Sequence, residues 1–106
     1  MGQVSAVLRR ATGGYLHWCP GCEEMHHIAV GAPNGSGARW TFDGNVDRPT
    51  FAPSVNISCV DPDGEFPPER CHYFLKGGLL QFLNDCTHKL VGQTVPLPPL
   101  PAGMAD

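Results

Sequence analysis

The sequence predicts a mainly β fold: a small antiparallel sheet domain with a zinc-ribbon-like knuckle and long loops. Three observations carry that reading. Thirteen glycines and 11 prolines are scattered through 106 residues, so breakers leave little room for long helices. Short runs of alternating apolar residues recur between turn dipeptides. Cys19-Pro20-Gly21-Cys22 presents two thiols on one tight turn, the strand–knuckle–strand form in which two thiolates reach one metal. The length suits a single domain over 1–106, with a Pro-rich tail from about 97. A domain this small buries limited apolar surface. A structural zinc, worth on the order of 10 kcal/mol coupled to folding, is a physically reasonable staple.

The elements follow in order along the chain. Val4 to Leu8 is a first short strand, and Thr12-Gly13-Gly14 is a turn. Tyr15 to Trp18 enters the knuckle, and Met25 to Val30 leaves it. After the Gly31–Gly37 loop, Ala38 to Phe42 alternates as a strand does. Asp43-Gly44 is a turn signal. Asp47 to Pro53, with two prolines, is an extended loop. Ser54 to Val60 is a strand, and Asp61 to Arg70 is a polar, Pro-rich surface loop. Cys71 to Lys76 and Leu79 to Asn84 flank Gly77-Gly78, a two-residue loop suited to a type I′ or II′ hairpin. That register sets Lys76 against Leu79, Phe74 against Gln81 and Cys71 against Asn84. Gly92 to Val95 is a last strand. Pro96 to Pro101 is polyproline II packed on its own domain, and 102–106 is frayed. Trp40, Phe42, Phe51, Tyr73, Phe74 and Phe82 supply most of the core.

Charge and hydropathy narrow the classes. The formal charge is −3 and charged residues are only 16%, against roughly 25% in ordinary soluble domains. A basic stripe of the kind that binds a phosphate backbone is missing, so a nucleic-acid partner is disfavoured. No apolar run approaches a membrane span, so no membrane partner is expected. Arg9 and Arg10 follow the short apolar N-terminal stretch, the wrong order for a secretory signal. Ala6 stands where myristoylation needs Ser or Thr. A cytoplasmic protein is therefore expected, and its five cysteines are better read as ligands or free thiols than as disulfides.

The leading metal ligands are Cys19, Cys22, Cys71 and Cys86, with His88 the first alternate and His72 the second. Side chains alternate along the hairpin. A regular strand therefore points Cys71, Asn84, Cys86 and His88 to one side, and His72 to the other. A bulge near Asp85 would reverse that parity. The competing bland reading is a set of buried thiols. A redox role for the knuckle is weaker. Pro and Gly occupy its centre, and Glu23-Glu24 beside it would raise a thiol pKa rather than lower it.

Catalytic signatures are sparse. HExxH is absent, as is the deaminase pair of H-x-E with P-C-x-x-C, since Pro20 lies between the cysteines. There is no Ser-centred elbow and no P-loop. No catalytic residue is assigned on this basis. Asp85, Glu23, Glu24, His72 and His88 are the acid–base candidates should the zinc keep an open position. His26-His27 reads as one packed and one exposed imidazole, and the same caution applies to His17.

Three segments in order, HWCPGCEEMHH, RWTFDGNVDRPTFAPSV and CHYFLKGGLLQFLNDCTHKLVGQTVPLP, carry a family resemblance over roughly residues 15–98. The chain resembles small zinc-binding proteins of phages and prophages, a domain of unknown function sometimes labelled "ammonia monooxygenase". That label is physically unpersuasive for a chain with no membrane span. The resemblance implies a compact zinc domain, with Cys19, Cys22, Cys71 or His72, Cys86 and His88 as its ligand pool. The expectation is a non-enzymatic interaction module with a structural Zn2+ and a host or phage protein as partner. The alternative is a small zinc-dependent hydrolase with an open metal site. A nucleic-acid-binding zinc ribbon comes third.

Overall fold

The computed structural model describes residues 2–35 and 37–103. The expected fraying of 102–106 therefore falls partly outside the described residues. Eight strands form two antiparallel sheets, with no helix among the described residues. Arg9–Ala11 (β1), Gly14–Cys19 (β2) and Glu24–Ala29 (β3) make a three-stranded meander. Thr41–Phe42 (β4), Phe51–Cys59 (β5), Glu69–Lys76 (β6), Leu79–Phe82 (β7) and Thr94–Pro96 (β8) make a five-stranded one. Sequential neighbours pair throughout, as short connections favour.

Several segments differ from the sequence reading for local reasons. Val4–Leu8 is a turn instead of a strand. The Ser5 hydroxyl accepts the Val7 and Leu8 amides, and Val4 N–H returns to Leu8 O. A serine side chain here outcompetes the ladder. Only Thr41–Phe42 of the 38–42 run pairs, because Trp40 N–H goes to Ala29 O instead. The strand expected from Ser54 begins earlier, at Phe51.

The β6–β7 hairpin has the expected register, with Lys76 on Leu79 and Phe74 on Gln81. Gly77 and Gly78 take φ of 57° and 78°, the two positive values a type I′ turn requires. The ladder stops at Phe82, so Cys71 never pairs with Asn84. The tail packs back as expected. Leu97 is buried, its N–H bonds Gly78 O, and Leu100 N–H bonds Ala6 O.

One core joins both sheets. Leu8, Cys19 and Ile28 from the first region meet Phe51, Val55, Cys71, Tyr73, Leu75, Leu80 and Phe82 from the second. In β6 the alternation is strict: Cys71, Tyr73 and Leu75 are buried, while Arg70, Phe74 and Lys76 are exposed and His72 is half-buried. Strand alternation thus divides β6 into a core face and an outer face. Tyr73 is fully buried. Its hydroxyl lies 2.6 Å from His17 Nε2 and 3.1 Å from His26 Nδ1, which gives this buried polar group partners.

Candidate functional site: a thiol cluster and a hydrogen-bonded Ser–His–Asp chain

On the inner side, the knuckle delivers Cys19 and Cys22. Glu23 adopts φ of 56° while its N–H bonds Cys19 O at 2.8 Å, which closes the turn. Cys22 N–H points at Cys19 Sγ, 3.4 Å away. Cys71 arrives from β6, with its Sγ 3.8 Å from Cys19 Sγ and 3.4 Å from His88 Nε2. The donor atoms of Cys19, Cys22, Cys71 and His88 all lie within 4.8 Å of one another. Any side chain at Gly21 would collide with the His88 imidazole. The knuckle therefore has to place glycine where that ring approaches.

The electrostatics of this group suit a cation. The hydrogen bond from Cys71 lowers the Cys19 thiol to about 6. Burial, then the Cys19 charge, pushes Cys22 up to about 12. The bond to Cys19, burial and the neighbouring thiolates push Cys71 up as well. Burial lowers His88, keeping its imidazole neutral. One thiolate forms readily and then opposes the next, a conflict that a divalent ion removes. Three thiols and one imidazole are a soft, four-donor set. These four residues can bind a metal ion. Cys22, Glu24 and His26 form a second close group that shares Cys22.

Cys86 is not brought into the four-donor group. A turn at Leu83–Cys86, in which Cys86 N–H bonds Leu83 O, ends the regular strand on which the parity argument depended. Cys86 Sγ then donates to His72 O at 3.1 Å and accepts the His72 N–H at 3.3 Å. His88, the first alternate, occupies the fourth place. His72, the second alternate, faces the other way. Cys59 is exposed and belongs to neither group. His26 is buried and His27 exposed, as strand alternation requires.

On the outer face, His72 joins two residues that sequence spacing did not connect. Its Nε2 lies 3.1 Å from Ser54 Oγ. Its Nδ1 lies 3.0 Å and 3.2 Å from the two Asp85 carboxylate oxygens. The partners fix the tautomer. A carboxylate only accepts, so Nδ1 carries the proton, and Nε2 is left to accept the serine O–H. The hydrogen bond from His72 holds the Asp85 carboxyl below its ordinary range, with Arg70 adding a weaker pull. The Arg70 Nη1 stands 3.5 Å from Asp85 Oδ2.

Local structure explains how Ser54 gets there. β5 slips register against β6 between Phe51 (on Leu75) and Val55 (on Tyr73). Ala52, Pro53 and Ser54 therefore stand opposite Phe74 alone. Bulges of this kind re-aim side chains, and they accommodate a proline that has no N–H to give. Trp40 Nε1–H holds the Ser54 carbonyl at 3.2 Å. Sequence reasoning singled out His72 and Asp85 as acid–base candidates and passed over Ser54, which no short motif surrounds. The available signal was Pro53 within a strand pattern, a mark of a bulge beside a functional site.

A family model described as BubE, bacterial ubiquitination-like system serine protease, matches residues 1–83. The matched span contains Ser54, His72 and three of the four clustered metal donors, and ends before Asp85 and His88. No curated protein and no solved structure matches the chain.

Proposed function

The chain belongs to the BubE family, described as the serine protease of a bacterial ubiquitination-like system, and from that premise we propose that it is a serine hydrolase acting on polypeptide through Ser54, His72 and Asp85. The observation that carries the reading is the position of His72 between Ser54 Oγ and the Asp85 carboxylate. These are the distances and the order of groups that nucleophilic acyl transfer needs.

The chemistry follows from the donor and acceptor roles. Ser54 Oγ attacks the substrate carbonyl carbon while His72 Nε2 takes the hydroxyl proton. The resulting imidazolium is stabilised by Asp85, held ionised by that same hydrogen bond. Collapse of the tetrahedral intermediate breaks the substrate's carbonyl carbon–nitrogen bond. His72 gives its proton to the departing amine, leaving an acyl-Ser54 ester. Water, deprotonated by His72 Nε2, then releases the acid and regenerates Ser54. The family description supports a substrate from a ubiquitination-like system.

In the same proposal the metal is Zn2+ with a structural role. Cys19, Cys22, Cys71 and His88 would hold it and complete a tetrahedron without water. The ion would clamp the knuckle to β6 and so steady the strand that carries His72. The sequence-based preference for a non-enzymatic phage-type module lacks a comparable residue-level feature.

The test is a stopped-flow burst with p-nitrophenyl acetate. We expect about one equivalent of nitrophenol per protein in the burst, lost in Ser54→Ala. A wild-type protein with no burst, or a burst retained by Ser54→Ala, contradicts the assignment.

A further inference from the structure

Beside Ser54 runs a strand edge whose free backbone groups point away from the sheet. β4 pairs with β5 only at Ala52 and Phe51, so among the described residues the rest of that β5 edge has no neighbouring strand. The direction of its backbone groups follows from β6. His72 O accepts Leu83 N–H, and His72 N–H goes to Cys86 Sγ. Arg70 N–H and C=O are both bonded to Thr87. Both residues thus spend their backbone groups away from β5. Their partners across the ladder are Asn56 and Ser58. In an antiparallel ladder such pairs exchange no hydrogen bonds, and their N–H and C=O point outward. Ser54 lies two residues before Asn56 and shares that direction, which is why Trp40 can reach its carbonyl.

The edge opens on a groove of about 740 Å³. Its far wall is His27, Asn34, Ala38, Arg39 and Trp40, and its near wall is β5 from Pro53 to Ser58. Among the described residues no acidic side chain lines it, although the chain carries net charge −3.

We propose that the substrate is an extended, unfolded peptide segment that adds as a strand to β5, bonding the outward backbone groups of Asn56 and Ser58 and delivering its scissile carbonyl to Ser54. This rests on the Ser54 hydrolase reading. Alternate free N–H and C=O groups on one edge match an extended main chain and no folded surface. The groove reads main chain first. It favours an acidic side chain or a terminal carboxylate beside exposed Arg39. Such a site selects flexible tails and linkers over folded domains.

The experiment compares four probes on the wild-type protein. The first is N-acetyl-alanine diphenyl phosphonate, which carries the same warhead as the peptides on almost no main chain and so reports the serine alone. The second is a tetra-alanine diphenyl phosphonate. The third and fourth are the same peptide phosphonate N-methylated at one or the other set of alternate amides. Strand addition expects the peptide to phosphonylate Ser54 faster than the small probe. It also expects N-methylation to slow labelling at least about tenfold for one set of amides and less than about twofold for the other. Equal penalties for both sets, or no gain from the peptide over the small probe, overturn strand addition while leaving the Ser54 reading intact. Failure of every probe to label Ser54 overturns both.

Discussion

Cys71 and His72 are consecutive residues of β6 whose side chains leave opposite faces of the sheet. Cys71 points into the core, with its sulfur 3.4 Å from His88 Nε2. His72 points outward, 3.1 Å from Ser54 Oγ. Strand alternation alone separates the four-donor Cys/His cluster from the hydrogen-bonded Ser54–His72–Asp85 chain by one peptide unit. The two are mechanically coupled, because anything that loosens β6 moves both.

The first expectation concerns the outer face. Asp85→Asn should leave Ser54 and His72 in place and lower kcat by about 10³- to 10⁴-fold, because an amide cannot hold the imidazole in its tautomer. Asp85 is half-exposed. Its loss should therefore leave the melting temperature close to that of the wild type. Steady-state kinetics with a thermal melt checks both. A variant equally inactive and unfolded would point to a structural role.

Metal content separates Cys86 from His88. Cys71→Ser and His88→Ala should each lose most bound zinc, whereas Cys86→Ala should keep about one equivalent by elemental analysis. Cys86→Ala should still lower activity roughly tenfold, since its sulfur clamps both backbone groups of His72. Loss of zinc from Cys86→Ala would place it among the ligands.

Chelation should act on activity through the fold. Removing zinc should melt the knuckle and weaken catalysis in step with lost near-UV dichroism. A protein that stays folded but inactive without metal would instead make the ion catalytic.

Acid stability follows from two buried imidazoles. Burial holds His17 down to about 3, and burial together with His88 holds His26 down to about 4. Both are neutral in the fold, while the unfolded chain protonates them near 6.5. Their contribution is complete above pH 6.5 and is lost as pH falls toward 4, at about 1.4 kcal/mol per pH unit for each group. Urea midpoints at saturating zinc should fall between pH 7 and 5, and fall less in His26→Gln. A flat profile over that range would contradict the burial account.

Much of the fold was legible because it rests on local chemistry. Gly77-Gly78 sets the hairpin register, and Pro20-Gly21 sets the knuckle. The parity of β6 also read correctly, with Cys71 inward and His72 outward. Ser54 was not legible. It reaches His72 through a three-residue bulge at Ala52–Ser54 that pairs with β6 only in three dimensions. The choice between Cys86 and His88 likewise depended on the Leu83–Cys86 turn, which carries no Gly or Pro to announce it. Sequence spacing places side chains correctly on regular strands and loses them where the strand stops.

The most direct test of the central claim is peptide mapping after reaction with a fluorophosphonate. The account expects one adduct per chain, on Ser54, with labelling abolished in His72→Ala. An adduct on Ser5 or Ser58, or no adduct on the folded, zinc-loaded protein, would contradict it.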